Sequence, residues 1–142
     1  MASYDASIRT NKSKRSAKIY SDLNLDFQQN SATKDIQKMS DVESVKRSVR
    51  NLINLNHYEK PFHPEIGSNL RGMLFELITP QMSHAITKEL DNLIRNYEPR
   101  AKLVQISTMP QFDRNAYAAT ISFYVQNSPD RIIVESFLER VR

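Results

Sequence analysis

The sequence contains no cysteine, and among its 142 residues there are only two glycines, Gly67 and Gly72. Without cysteine there can be no disulfide, no thiolate nucleophile and no thiolate metal site, a composition that suits a reducing compartment. Two isolated glycines cannot build a phosphate-cradling loop, because such loops need several residues free to bend the backbone toward the anion. No serine stands in the glycine-flanked elbow of a nucleophilic hydrolase. No apolar run approaches the roughly 20 residues needed to cross a bilayer, so no membrane partner is expected. The charged N-terminus has no apolar segment of the kind found in a signal peptide.

Acidic residues are scarce in one place only. Residues 1–20 carry Arg9, Lys12, Lys14, Arg15 and Lys18 against Asp5 alone. That stretch accounts for the whole net charge of +4, since the rest of the chain balances at 15 basic and 15 acidic residues. Basicity is therefore a property of an N-terminal arm, which argues against the folded body being a nucleic-acid binder. Residues 1–17 are polar, Ser- and Lys/Arg-rich and aperiodic, and are expected to form a basic flexible arm. Residues 18–142 are expected to form a single domain. Such an arm more often lies in solvent or on an acidic protein surface than on nucleic acid.

From Ile19 the pattern changes. Ile19, Leu23, Leu25 and Phe27 fall on alternate positions between polar residues, which predicts a strand with one buried face. The polar stretch 28–40 predicts a loop. Asp41 is placed to cap a helix over about 41–55, where Val42, Val45, Val49, Leu52 and Ile53 recur at helical spacing. Pro61, Pro64 and Gly67 interrupt the chain. A short helix follows through Leu70, Met73, Leu74 and Leu77, capped by Ser68 or Asn69 and weakened by Gly72. Thr79-Pro80 is a cap followed by proline at the first helical position, and the apolar stripe from Met82 to Tyr97 predicts a helix over about 80–97. Pro99 must end it near Tyr97, because proline disfavours the α conformation in the residue before it. Beyond Arg100 the period becomes two. Strands are predicted over 103–109, closed by Pro110, and over 117–125 after a turn at Asp113-Arg114-Asn115. In 131–142 Ile133, Phe137 and Val141 lie four apart, which suits helix or strand, and the second apolar set Ile132, Val134 and Leu138 favours a strand. The expected class is α+β: two main helices and one short helix packed on a small antiparallel sheet, with an N-terminal extended arm.

Few residues point to chemistry. His57, His63 and His84 have no metal-site spacing, and zinc normally requires three or four ligands. Glu65, Glu76, Glu89, Asp91 and Glu98 supply carboxylates, but a glycosidase needs two placed across a scissile bond, one with a raised pKa. Glu76, beside Leu74, Phe75 and Leu77, is the candidate for such a rise by desolvation. A helix-end carboxylate bonded to nearby backbone is the simpler reading. No catalytic, cofactor-binding or metal residue is assigned, and the chain is not expected to be an enzyme. What remains is interaction. If Glu98 is extended, Glu98 and Arg100 point the same way at a helix-to-strand corner. They form either a local ion pair or a docking device, since arginine suits two-point contacts at interfaces. A C-terminal edge strand would expose unpaired backbone groups to which a chosen strand could add.

The stretches Glu59-Lys60-Pro61-Phe62-His63-Pro64-Glu65-Ile66-Gly67, Leu74-Phe75-Glu76 and Asn96-Tyr97-Glu98-Pro99-Arg100, in this order and spacing, resemble the baseplate wedge and sheath-initiator family of contractile-tailed phages. That family is shared with the type VI secretion baseplate subunit. Tyr20-Ser21-Asp22-Leu23 and the run from Ser44 to Leu52 fit as well, so the resemblance runs from about residue 18 to the C-terminus. It implies a structural protein rather than an enzyme, although some members carry a lysozyme-like label. Glu98, Pro99 and Arg100 would contact the wedge core proteins. The sheet would template the first ring of tail sheath protein by strand exchange. Tail tube or hub proteins are further expected partners, and six copies per baseplate are implied. The location implied is the virion tail baseplate, with assembly in the host cytoplasm. The same role in a type VI baseplate, and a peptidoglycan-cleaving enzyme, are the alternatives.

Overall fold

A computed structural model describes residues 20–125, 128 and 130–139. The expected arm, residues 1–17, lies outside the described residues, as do Ile19 and the last three residues of the predicted C-terminal strand. The described chain is α+β, as expected. Its elements are β1 (Ser21–Leu23), β2 (Lys38–Ser40), α1 (Val42–Asn54), α2 (Leu70–Leu74), α3 (Pro80–Tyr97), β3 (Ala101–Gln111), β4 (Ala116–Val125) and β5 (Arg131–Glu139).

Each main helix forms for the reason its sequence suggests. In α1 Val45, Val49, Leu52 and Ile53 make one buried stripe, with Val42 half-buried at its start. In α3 the Thr79 hydroxyl accepts the Met82 N–H at 3.1 Å, Pro80 occupies the first turn, and Ile86, Leu90, Leu93 and Ile94 are buried. Asp41 behaves differently from the expectation. It stands at the N-cap position with a positive φ of 49° and makes no side-chain cap hydrogen bond. Its carboxylate instead accepts the Tyr20 N–H at 3.2 Å, and its own N–H donates to the Tyr20 carbonyl. The helix start is thereby tied to the beginning of the described chain. The short helix is also briefer than expected and ends at Leu74, leaving Leu77 outside it and largely exposed.

Two strands, β1 and β2, pair antiparallel and form their own small sheet. The long N-terminal strand expected through Phe27 is thus corrected to three residues, and the expected loop 28–40 contains its partner. Asn24 is the cause. Its side chain accepts the Asp26 N–H at 2.9 Å, its carbonyl accepts the Phe27 N–H, and the chain turns. Asparagine competes for local backbone donors in this way, so an apparent period of two breaks into a turn. Leu25 and Phe27 end exposed.

The second sheet has the order β3-β4-β5, antiparallel throughout. Tyr117, Ala119, Ile121, Phe123 and Val125 of central β4 all face inward and are buried. Strand β3 departs from simple alternation. Its register shifts between Leu103 and Gln105, so Val104 is an unpaired bulge residue, 49% exposed, while Leu103 and Ile106 both pack on the core. A bulge inserts one residue and reverses the inward set beyond it. Pro110 does not close the strand as expected but pairs with Tyr117 inside it, which is compatible with β3 being an edge strand. Helix α3 lies against β3 through a hydroxyl cluster. The Ser83 hydroxyl donates to the Thr108 carbonyl at 2.6 Å, and the Thr108 hydroxyl donates to the Ser83 carbonyl at 2.7 Å.

Candidate docking site

The corner after α3 is built by Pro99. The helix ends at Tyr97 as predicted, and Glu98 leaves it with φ −130° and ψ 71°. The Glu98 carbonyl then accepts the Ala101 N–H at 3.1 Å, which makes residues 98–101 a turn with proline at its second position. Glu98 and Arg100 are therefore neighbours across a turn rather than along an extended run, although the expected juxtaposition is present.

Arg100 donates from Nε and Nη2 to the two Glu98 carboxylate oxygens at 2.5 and 2.6 Å. The Glu98 side chain is only 2% exposed, the Arg100 side chain one third. The Glu98 pKa reflects two opposed effects. Burial pushes it up, but the Arg100 fork and a hydrogen bond from Ser48 on α1 outweigh burial and hold it below the ordinary 4.5. The same bonds hold the Arg100 proton more tightly than usual. Tyr20 covers one side of the guanidinium, with Cζ 5.2 Å from the ring centre. The corner thus joins four elements: the end of α3, the start of β3, α1 through Ser48, and the chain entry at Tyr20. Neither Ser48 nor Tyr20 was picked out by chemistry in the sequence. The only signal was their place in the motifs that carry the resemblance.

The motif loop 56–67 lies next to this corner, because the Tyr97 hydroxyl donates to the Glu65 carbonyl at 2.8 Å. Within the loop, Glu59 accepts from both N and Nδ2 of Asn56, and Tyr58 N–H donates to the Pro64 carbonyl. Tyr58 and Phe62 adopt left-handed conformations, φ 68° and 66°. Such a conformation costs a residue bearing a Cβ about 1–2 kcal/mol.

The sheet has two free edges among the described residues. The β3 edge is interrupted by the Val104 bulge and lacks a donor at Pro110. The β5 edge has an unbroken register from Arg131 to Glu139 and no proline. Beside its far end is a hollow of about 220 Å³ lined in part by Ile53, Leu70, Leu74 and Leu138. The other face of β5 presents Ile133 and Phe137, each 55% exposed.

The carboxylates considered for hydrolysis are not assembled for it. Glu76 is exposed rather than desolvated, which corrects the reason for considering it. Glu65 is exposed too, and its pKa is lowered by its own backbone N–H and by His63, against the direction a general acid needs. His63 Nδ1 lies 3.1 Å from Glu65 Oε1. Among the described residues no three metal-ligating side chains converge.

This arrangement defines a small α+β fold whose conspicuous features are a braced turn, a hydrogen-bonded loop and an open sheet edge among the described residues. Residues 39–130 match the family described as Baseplate wedge protein gp25. The Baseplate wedge protein gp25 of Enterobacteria phage T4 is 30% identical over 115 residues, which cover 81% of this chain and 86% of that protein. The chain belongs to this family. Among solved structures, a chain of the anti-feeding prophage baseplate superposes with a TM-score of 0.67 at 23% identity, over 78% of this chain and 89% of that one. A Geobacter sulfurreducens protein named as a candidate tail lysozyme superposes with a TM-score of 0.64 at 18% identity, over 70% of this chain and 91% of that one. At these identities the two superpositions establish the fold.

Proposed function

We propose that this baseplate wedge protein docks on the wedge core of a contractile tail through Glu98, Pro99 and Arg100, and that the β5 edge initiates the sheath by accepting a strand from the sheath protein. The first half rests on one observation. Arg100 stands one third exposed at a corner whose geometry is fixed by a buried carboxylate. Glu98 is already committed to Arg100 and Ser48, so in this reading Arg100 makes the contact and Glu98 aims it. A side chain held in its binding geometry loses little freedom on association. The strand-addition half is supported by the contrast between the two edges. Of the two edges of this sheet among the described residues, β5 offers the uninterrupted row of backbone groups, and its charged residues, Glu135 and Glu139 among them, discourage indiscriminate pairing. The T4 relative favours a phage tail, hence a virion location and assembly in the host cytoplasm. The six-fold averaging of the anti-feeding prophage baseplate supports six copies per particle.

Co-expression of the full chain with its tagged wedge-core subunits tests the docking role. Arg100→Lys keeps a cation beside Glu98 but loses the planar fork. It should remain folded by circular dichroism and lose co-purification. Recovery of Arg100→Lys at the wild-type yield would count against docking through this residue. For the edge, backbone amides of Arg131–Glu139 should slow in hydrogen exchange when sheath protein is added, and unchanged exchange there would count against strand addition. A zymogram with the purified chain should show no lytic band.

A further inference from the structure

The proposed docking corner leaves one motif of the chain without a role, the loop Lys60-Pro61-Phe62-His63-Pro64. Its two aromatic side chains are displayed to solvent, Phe62 97% and Tyr58 85% exposed. Both sit on backbone in the left-handed region, where a glycine or asparagine is more comfortable. The folded chain gains no contact from the Phe62 ring in return. The loop that carries it is nevertheless firmly built. Besides the bonds already described, Ser68 N–H donates to the Leu55 carbonyl and His63 N–H to the Lys60 carbonyl. Gly67, with φ 143°, lies so close to Asn56 that a Cβ would come within 2.5 Å of its carbonyl carbon. Pro61 and Pro64 fix φ on either side of Phe62. An aromatic side chain carried on a hydrogen-bonded loop suits an interface anchor, because little backbone ordering remains to be lost when it enters a pocket.

Position says which partner it serves. The Tyr97 hydroxyl ties this loop to the residue that precedes Glu98, so the loop is anchored beside the helix end that carries the docking corner. Lys60 adjoins the ring, and Arg100, bonded to Glu98, stands at the corner. Glu59 and Glu65 are exposed nearby, Glu59 bonded to Asn56 and Arg71 and Glu65 to His63.

We propose that Phe62 is the apolar anchor of the docking surface. It seats in a ring-sized hydrophobic pocket on the same wedge-core subunit that meets Arg100. This rests on the docking reading above and extends it from a single corner to a two-point interface: an apolar anchor and an aimed guanidinium.

The test is co-purification of the full chain with tagged wedge-core subunits, read beside the melting temperature of the chain alone. Phe62→Asp and Phe62→Gly remove the ring, and Phe62→Gly also relieves the left-handed backbone. Phe62→Gly should therefore melt no lower than wild type. Both variants should bind the core about thirtyfold more weakly, the loss that accompanies removal of a hot-spot side chain. Phe62→Leu should recover part of the binding. Wild-type binding by Phe62→Asp overturns the proposal. So does a binding loss that tracks a lowered melting temperature, which would mark a folding role. Concentration-dependent self-association of the isolated chain that disappears in Phe62→Asp overturns it in favour of a second copy as the occupant. Failure of the wild-type chain to co-purify overturns the docking reading itself and this proposal with it, and is recognised before any variant is made.

Discussion

Glu98 and Arg100 close a two-point contact within the chain, at 2.5 and 2.6 Å, around a carboxylate that is 2% exposed. The pair braces the turn between α3 and β3, and through Ser48 and Tyr20 it reaches α1 and the start of the described chain. It therefore serves the isolated fold before any partner arrives. The sequence left a local ion pair and a docking device as alternatives, and an exposed ion pair is worth little to the free chain. Burial of the carboxylate makes this pair one that the isolated fold needs.

Arg100→Ala should destabilise the isolated chain by about 2–3 kcal/mol. Removing one partner of a buried pair leaves an uncompensated charge, a cost of roughly 3–5 kcal/mol for a fully enclosed pair, reduced here because one third of the Arg100 side chain is open to solvent screening. Equilibrium urea denaturation measures it. A change under about 0.5 kcal/mol, typical of surface substitutions, would show that the pair braces nothing.

Tyr117→Phe should stabilise the chain. Tyr117 is 1% exposed on the inner face of β4, and its hydroxyl oxygen is buried without a hydrogen-bond partner among the described residues. An unmade buried hydrogen bond costs about 1–3 kcal/mol, and phenylalanine removes the polar atom while keeping the ring. A rise of about 3 °C in melting temperature is expected for each 1 kcal/mol in a chain of this size. A fall would reveal a partner for the hydroxyl.

The sequence-legible parts of the fold are those governed by neighbours in the chain. Helix α3 was readable at both ends because Thr79-Pro80 starts it and Pro99 stops it within a few residues. The inward set of β4 was readable because alternation records burial directly, whereas in β5 apolar residues on both parities left helix and strand open, and only pairing with β4 decides it and buries Val134 and Leu138. The Val104 bulge was not, since one extra residue in an alternating run leaves both parities apolar. The turn at Asn24 hid inside an apparent strand because asparagine suits a polar outward position as well as a turn. At the candidate site the pairing of Glu98 with Arg100 was legible, although it arises from the turn at Pro99 and not from the extended run expected. Their burial depends on Ser48 and Tyr20, which are 50 and 78 residues away from Glu98 along the chain, and no local pattern carries that information.

Gly67→Ala should be among the most damaging single-methyl changes in the chain. The φ of 143° lies in a region that residues with a Cβ avoid, at a cost of about 1–3 kcal/mol. The added carbon would also meet Asn56 backbone at 2.5 and 2.6 Å and His57 N at 2.7 Å. Backbone cannot swing aside as a flexible side chain can, so the loop must shift as a unit, pulling Glu65 from the Tyr97 hydroxyl. Hydrogen exchange should show residues 56–68 losing protection before the core does, and unaltered exchange there would contradict the packing. Gly72 offers a contrast. A Cβ there meets the Asn69 side chain at 2.5 Å, which can rotate away, so Gly72→Ala should be tolerated and may be compared in the same denaturation series.

Acid should weaken the fold through Glu98 in a defined direction. Its pKa is lower in the folded chain than the ordinary 4.5, because the Arg100 and Ser48 hydrogen bonds overcome the opposing effect of burial. A carboxylate with a depressed folded pKa binds its proton more readily when unfolded. Its contribution is therefore fully present above the ordinary glutamate range and is lost as pH falls through that range toward the folded value. In Glu98→Gln the side chain no longer titrates, so stability should drop at neutral pH and decline less steeply in acid than in the wild type. The two curves should approach each other as pH falls below 4.5. Glu65, lowered by its own backbone and His63 but exposed, should contribute far less to the slope, and Glu65→Gln serves as the control. Parallel wild-type and Glu98→Gln stability curves from pH 7 to pH 3 would remove Glu98 as the source of the acid dependence.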